Sequence, residues 1–279
     1  MEFKNEVITS RNNPFVKWAV SLADKKGRAE ARAFLAEGEK LSFEALEYGL
    51  PVTHIIVEEG KLDKNRERLF YYLDGAYRGK CELKVVAKSV FEKISTEKAP
   101  QGVISIIKYL DFFRKVDIIY KEEFFISKGE RALFLCSLRD PNNLGSVIRC
   151  AAAFGIGHII LSADCADVYN PKTVRCAMGS LFKLKITEVS DTEAFVKAAR
   201  AAGRRVLAAE LSERAVALSE LGLRADDVIM IGNEGHGIPE EISASCDASV
   251  YIPISENTES LNASCAAAVL MWEQSKCNF

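Results

Sequence analysis

The chain has 279 residues, of which 48% are hydrophobic and 27% charged, with a formal net charge of −2. That is a soluble globular composition, long enough for two domains and a sizeable core. No apolar run approaches the length needed to span a bilayer, and residues 1–6 carry no signal-peptide core, so no membrane partner and a cytoplasmic location are expected.

The charge is unevenly spread. Residues 1–110 carry 19 Lys and Arg against 16 Asp and Glu, and residues 131–279 carry 14 against 18. The small basic excess permits a nucleic-acid partner without demanding one. Residues 13–24 have the apolar period of an amphipathic helix, with Pro14 where a helix start tolerates it best. Lys25, Lys26 and Arg28, with Arg32 one turn on, form a basic cluster that reads equally as a phosphate grip or a solvated face. A short strand and turn over residues 34–39, a helix to Tyr48 and a strand over 54–57 follow. A helix over 62–76, a strand over 83–87, a helix over 88–95 and a strand over 102–109 complete this part. The alternation predicts a small α/β layer domain over residues 1–112. Residues 113–130 are charged without a clean period and are assigned to a linker.

From residue 131 the pattern is repeatedly strand then helix. Strands are predicted over 132–138, 158–162, 184–188, 205–209, 228–231 and 250–254, with helices over 144–154, 171–178, 192–202 and 261–276. The result is a mostly parallel α/β sheet over residues 131–279. The eight cysteines include no Cys-x-x-Cys pair, and Cys136, Cys150, Cys176 and Cys265 sit in apolar surroundings. They read as buried free thiols of a reducing compartment. His54, His158 and His236 are too scattered for a metal motif and read as structural, so no metal site is expected.

Three polar corners follow predicted strands. In the first, Asp140-Pro141-Asn142-Asn143 turns into a helix whose free N–H groups Asp or Asn can cap. Leu144, Val147, Ile148 and Ala151 supply its buried stripe, and Arg149 falls near the edge. Alone, this reads as an ordinary βα turn with a surface arginine ahead of an anion or cofactor site. In the second, Gly232-Asn233-Glu234-Gly235-His236-Gly237 brings three glycines after a buried strand, allowing close backbone approach and positive φ. The third runs from Ile252-Pro253-Ile254, across six residues, to Leu261-Asn262, with Ser260 as the expected cap of the last helix. Carboxyl ends of strands are where ligands gather in open α/β sheets. The first corner lacks G-x-G-x-x-G, which disfavours a dinucleotide enzyme, and no phosphate-binding lysine loop is present.

Together these residues resemble the SpoU (TrmH) family of RNA ribose methyltransferases, within the SPOUT superfamily. The resemblance rests on Asn142, Gly145 and Arg149; on Gly232-Asn233-Glu234-Gly235-x-Gly237; and on Ile252-Pro253 with Ser260-Leu261-Asn262. The stretch Ala177-Met178-Gly179-Ser180-Leu181-Phe182 is also similar. Asn13-Pro14, Lys17, Arg28 and Phe34-Leu35-x-Glu37-Gly38 are similar to the family's ribosomal-protein-like substrate-binding domain. Glu256 departs from the pattern, since many relatives carry glycine there. The resemblance implies a knotted SPOUT-type C-terminal domain, a trefoil knot in which the last helix passes through a loop, acting as a homodimer beside the smaller N-terminal α/β domain.

The implied activity is methyl transfer from S-adenosylmethionine to a ribose 2′-hydroxyl of RNA, with ribosomal RNA ahead of transfer RNA as substrate. A non-catalytic RNA-binding protein on the same fold is the alternative. The resemblance implies cofactor contacts that are mostly backbone, at Gly232, Ile252 and Leu261, with Asn233, Gly235, Gly237 and Ile254 completing the loops. Bulk at Gly235 is then expected to block the cofactor. It also makes Arg149 the group that activates the hydroxyl, with Asn142, Glu234 and Asn262 orienting it and Ser260 touching substrate. An arginine is a poor base, so electrostatic stabilisation of the forming alkoxide is the preferred role. Lys25, Lys26, Arg28 and Arg32 are the expected RNA contacts.

Overall fold

The computed structural model describes residues 6–110, 113–116, 126–127, 129–233, 235–255, 257–258 and 260–277. Contacts divide the chain into two compact units, residues 1–110 with 167–182, and residues 111–166 with 183–279.

In the first unit, Asn13 caps helix α1 (Pro14–Ser21), accepting from the Phe15 N–H at 2.9 Å, and Pro14 opens the helix without leaving an unpaired N–H. The basic cluster forms a short helix of its own, α2 (Lys25–Ala31), which ends on Arg32 in the left-handed region at φ +47°. Strand β1 (Ala33–Glu37), helix α3 (Glu39–Glu47), strand β2 (Val52–Glu58) and helix α4 (Leu62–Asp74) come next. Strand β3 (Glu82–Val86), helix α5 (Lys88–Ile94) and strand β4 (Val103–Lys108) follow. The sheet order is β1-β4-β2-β3, with β2 and β3 parallel and the other pairs antiparallel. Val16, Leu35, Ile56, Phe91 and Ile104 are buried together between the sheet and helices α1 and α5.

The second unit begins inside the interval assigned to a linker. Residues 113–116 are strand β5 (Phe113–Val116), paired in parallel with a strand some seventy residues later. Pairing partners that distant leave no local period. Strand β6 (Ala132–Leu135), buried along its length, leads into helix α6 (Pro141–Ala153), which starts three residues earlier than its apolar period suggested. After β7 (His158–Ser162) the chain contributes helix α7 (Pro171–Ala177), which packs against β1 in the first unit. Residues 167–182 therefore cluster with the N-terminal unit, although they lie within the sequence interval 131–279.

The second unit resumes with β8 (Lys185–Val189), α8 (Thr192–Ala201), β9 (Val206–Ala209), β10 (Ala215–Ala217) and β11 (Val228–Ile231). It ends with α9 (Glu240–Ser245), β12 (Ala248–Tyr251) and α10 (Ala263–Ser275). The sheet runs β10-β12-β9-β11-β6-β7-β8-β5, and every described pair is parallel. All carboxyl ends therefore lie along one edge. The sequence did not signal β10 and α9; both are short. Phe134 and Phe195, 4.8 Å apart, anchor the core with Val206 and Met230.

Candidate active site

The loop after β11 is closed on itself. Asn233 N–H donates to the Gly237 carbonyl at 3.0 Å and Gly237 N–H returns to the Asn233 carbonyl at 2.9 Å. The Asn233 side chain holds the turn from inside, its Oδ1 accepting from Gly235 N–H at 2.8 Å and His236 N–H at 3.3 Å. Its Nδ2 donates to the Ser137 carbonyl at 2.9 Å, tying this loop to the corner between β6 and α6. Ser137 lies at φ +56° and its N–H donates to Ser162 Oγ at 2.8 Å, so that corner is held in a conformation L residues seldom adopt. A Cβ on Gly232 would collide with the Gly237 backbone, and Gly237 itself sits at φ +66°. Gly235 has neither constraint: its added Cβ would meet Asn233 Oδ1 at 3.4 Å, an ordinary contact. Chain closure thus demands glycine at 232 and 237, and the expectation placed on Gly235 does not follow from the geometry.

At the first corner, Asp140 Oδ1 accepts from Asn142 N–H at 2.7 Å and Asn143 N–H at 2.9 Å. The amides that could have held an external anion are taken by the chain's own carboxylate. At the third corner the helix cap is Asn262, not Ser260. Asn262 Oδ1 accepts from Ser264 N–H at 2.9 Å, and α10 begins at Ala263. Its Nδ2 donates to Asn143 Oδ1 at 3.0 Å, joining the starts of α6 and α10.

The second and third corners enclose a cavity of about 270 Å³ at the carboxyl ends of the adjacent strands β12, β9 and β11, with the start of α10 on its far side. Gly232, Asn233, Gly237, Ile252, Ile254, Ser260 and Leu261 all line it, drawn together from the second and third corners. Gly235, Asn142, Arg149 and Asn262 do not line it. Glu234 and Glu256 lie outside the described residues. Arg149 is exposed on α6 and pairs with no described carboxylate.

The lining also includes Ala209, Glu210 and Leu211, which the sequence reading missed. Among the described lining residues Glu210 is the single charged side chain. Burial alone would push its carboxyl pKa up, but hydrogen bonds from Ser249, Arg214, Ser212 and Ser243 outweigh that and hold it below the usual carboxylate range. The remaining lining is largely apolar, with Ile231, Ala266 and Leu270 beside the residues already named, and backbone lies bare at Gly232 and Gly237. Such a site suits a ligand with a flat apolar ring and a few polar edges.

The SpoU rRNA Methylase family model matches residues 130–272. The chain belongs to that family. A second model, the MRM3-like substrate binding domain, matches residues 13–105. The chain is 29% identical over 272 residues to the 23S rRNA (uridine(2479)-2'-O)-methyltransferase of Streptomyces viridochromogenes, covering 95% of this chain and 90% of that one. It is 28% identical over 265 residues to the Bacillus subtilis 23S rRNA (guanosine(2553)-2'-O)-methyltransferase RlmP, covering 95% and 97%. The crystal structure of an AdoMet-bound rRNA methyltransferase from Sinorhizobium meliloti superposes with a TM-score of 0.81 at 30% identity, over 97% of each chain.

SpoU membership does not make every basic residue of the N-terminal unit an RNA contact. Arg28 is only 1% exposed. Its guanidinium donates to Asp167 Oδ2 at 2.6 and 3.2 Å and to the carbonyls of Leu22 at 3.0 Å and Ala23 at 2.6 Å. A cation so enclosed cannot reach a phosphate, and the expectation for Arg28 is overturned. Lys25, Lys26 and Arg32 remain exposed, with Lys26 near Glu30 at 3.9 Å and Arg32 over the Tyr109 ring at 5.8 Å. Cys265, expected to be buried, is exposed on α10.

Proposed function

We propose that this SpoU-family chain transfers a methyl group from S-adenosylmethionine to a ribose 2′-hydroxyl of ribosomal RNA, with the cofactor in the cavity at the ends of β12, β9 and β11. The observation that carries the reading is the joining of the corners: Asn233 ties the cofactor loop to the β6–α6 corner, and Asn262 ties the closing helix to α6, which bears Arg149. The AdoMet-bound relative and the named 2′-O-methyltransferases support it. The residues fit the cofactor, because an apolar bed and bare glycine backbone accept an adenine ring where charged side chains would reject it. When bound, S-adenosylmethionine supplies an electrophilic methyl group.

The chain's own part is to hold the ribose hydroxyl in line and stabilise the alkoxide as it forms. Arg149 is suited to that task. A guanidinium stays charged at physiological pH, and its planar fork can hold a phosphate and a hydroxyl oxygen at once. Asn142 lies in the first turn of the same helix, and Ser260 lines the cavity, where it can meet substrate. RNA is held by the N-terminal unit through Lys25, Lys26 and Arg32.

A second copy of the chain covers α10, whose outer face presents Cys265, Val269 (38% exposed) and Trp272 (51% exposed) at i, i+4 and i+7. No helix among the described residues is long and apolar enough to cross a membrane, and eight free thiols suit the cytoplasm. Mapping 2′-O-methylation of ribosomal RNA in cells with and without the protein tests the activity, with loss of one site as the expected outcome and an unchanged map as the result that refutes it. Light scattering tests the assembly: the wild type should be a dimer and Trp272→Glu a monomer.

A further inference from the structure

A chain of hydrogen bonds runs from the glycine loop to Asp164, and each of its donors points the same way. Gly235 N–H donates to Asn233 Oδ1 at 2.8 Å, and Asn233 Nδ2 donates to the Ser137 carbonyl at 2.9 Å. Ser137 N–H donates to Ser162 Oγ at 2.8 Å, and that hydroxyl donates in turn to Asp164 Oδ1 at 2.7 Å. Ser162 is the last residue of β7 and is buried, whereas the Asp164 side chain is 44% exposed. Arg139 closes the chain from the solvent side, donating to Asp164 Oδ2 at 2.9 Å. Burial pushes the Asp164 carboxyl up, but the side chains of Ser162, Arg139 and Ser137 and its own N–H donate to it and hold it at about 2. At physiological pH it is therefore an anion that can only accept.

The direction matters because a hydroxyl is both donor and acceptor. Asp164 takes the Ser162 proton, which leaves a lone pair of Oγ for the Ser137 N–H. Cys165 Sγ, 3.5 Å from the same oxygen, has an acceptor of its own in the Leu135 carbonyl at 3.2 Å. Ser137 needs this support. The sheet ladder reaches only as far as Cys136, whose N–H donates to the Ile231 carbonyl at 2.8 Å. One residue on, the chain takes φ +56°, a region an L side chain holds only where its surroundings keep it there. That turn decides where the Ser137 carbonyl stands, and this carbonyl is what Asn233 grips. Asn233 lines the cavity with Gly232 and Gly237, so a displacement at residue 137 passes directly into the wall.

We propose that Ser162, its hydroxyl oriented by Asp164, is a positioning residue for S-adenosylmethionine, holding Ser137 in the left-handed conformation that anchors the Asn233 loop. Ser162 is not among the residues lining the cavity and acts through Ser137 and Asn233. The assignment rests on the cofactor site proposed above.

Calorimetry with S-adenosylmethionine on the full chain tests it in two backgrounds. Ser162→Ala removes the acceptor of the Ser137 N–H and should weaken binding by about tenfold. Ser137→Gly lets residue 137 take positive φ without support. In that background Ser162→Ala should cost about twofold or less, because the two changes then remove the same constraint. Equal losses in both backgrounds would mean that Ser162 does not act through the Ser137 conformation, and would overturn the proposal. Unchanged affinity in Ser162→Ala would overturn it too. Single-turnover methylation gives a second readout, in which the half-saturating cofactor concentration should rise by about the same tenfold, and a loss confined to the saturated rate would count against the proposal equally. If Ser162→Ala fails to fold, Asp164→Ala at the exposed end of the chain takes its place. Without that carboxylate the Ser162 hydroxyl is free to turn, and binding should weaken by about threefold. Wild-type affinity in Asp164→Ala would then overturn the proposal. Wild type that binds no S-adenosylmethionine refutes the cofactor site itself, an outcome distinct from the others.

Discussion

Helix α2 in the N-terminal unit and helix α6 in the catalytic unit each carry an arginine that the sequence marks as functional, and they give opposite results. Arg28 is enclosed, with an aspartate and two carbonyls taking its donors. Arg149 stands exposed and pairs with no described carboxylate. A cation enclosed among its own acceptors holds the fold, whereas one left exposed is free to take substrate. The surroundings, not the residue type or the clustering of charge along the chain, separate the two roles.

The largest effect that would break this contrast is at Arg28. Arg28→Ala leaves the largely enclosed Asp167 carboxylate without its cation and should cost on the order of 3 kcal/mol of stability. Urea denaturation of the full chain reads it, and the mutant, where still folded, should keep the salt dependence of RNA binding. A stable Arg28→Ala protein with a flattened salt slope would make Arg28 a phosphate contact after all.

Arg149 is the counterpart. Arg149→Ala should bind S-adenosylmethionine as the wild type does yet lose turnover by about a hundred- to a thousand-fold, and Arg149→Lys should recover little. Single-turnover methylation at saturating RNA and cofactor isolates that step. Retention of more than about a tenth of the rate, roughly 1.4 kcal/mol of barrier or less, would reduce Arg149 to a surface residue.

The same distinction divides the loop glycines. Gly232→Ala drives a methyl group into the Gly237 backbone and should weaken cofactor binding by about tenfold or more, while Gly235→Ala, with ordinary contact only, should bind normally. Equal losses in both would mean that the cofactor itself, rather than loop closure, needs the space at Gly235.

What was legible in the sequence was whatever depends on near neighbours. Strands β7 and β11 lie where their buried apolar runs placed them, because a strand covered on both faces has a continuous signal. The three corners were visible through glycine, proline and cap residues, each a local conformational demand. What was not legible depends on residues far apart. Strand β5 is defined only by its pairing with β8, and Arg28 is buried by Asp167, 139 positions away. Glu210 reads as an ordinary strand end until Ser249, on a strand that follows much later, fixes its carboxylate. The cap of α10 was misplaced by two residues because Ser260 and Asn262 are both good caps, and the choice was made by Asn143 on another helix.

The smallest effect concerns the exposed remainder of the basic cluster. Lys25, Lys26 and Arg32 carry their charges to solvent, although Lys26 shares a weak pairing with Glu30 and Arg32 lies over Tyr109. Each that meets a phosphate should add nearly one unit to the slope of log affinity against log salt, since each contact releases a counterion. Changing all three to glutamine keeps the polar stems and avoids disturbing the enclosed Arg28. The slope should then fall by about two to three units, with cofactor affinity untouched and the loss in RNA binding largest at low salt. A fall of about one unit would single out one contact, which individual substitutions would identify. An unchanged slope would place α2 entirely on the structural side of the comparison, with Arg28 as its reason for being there.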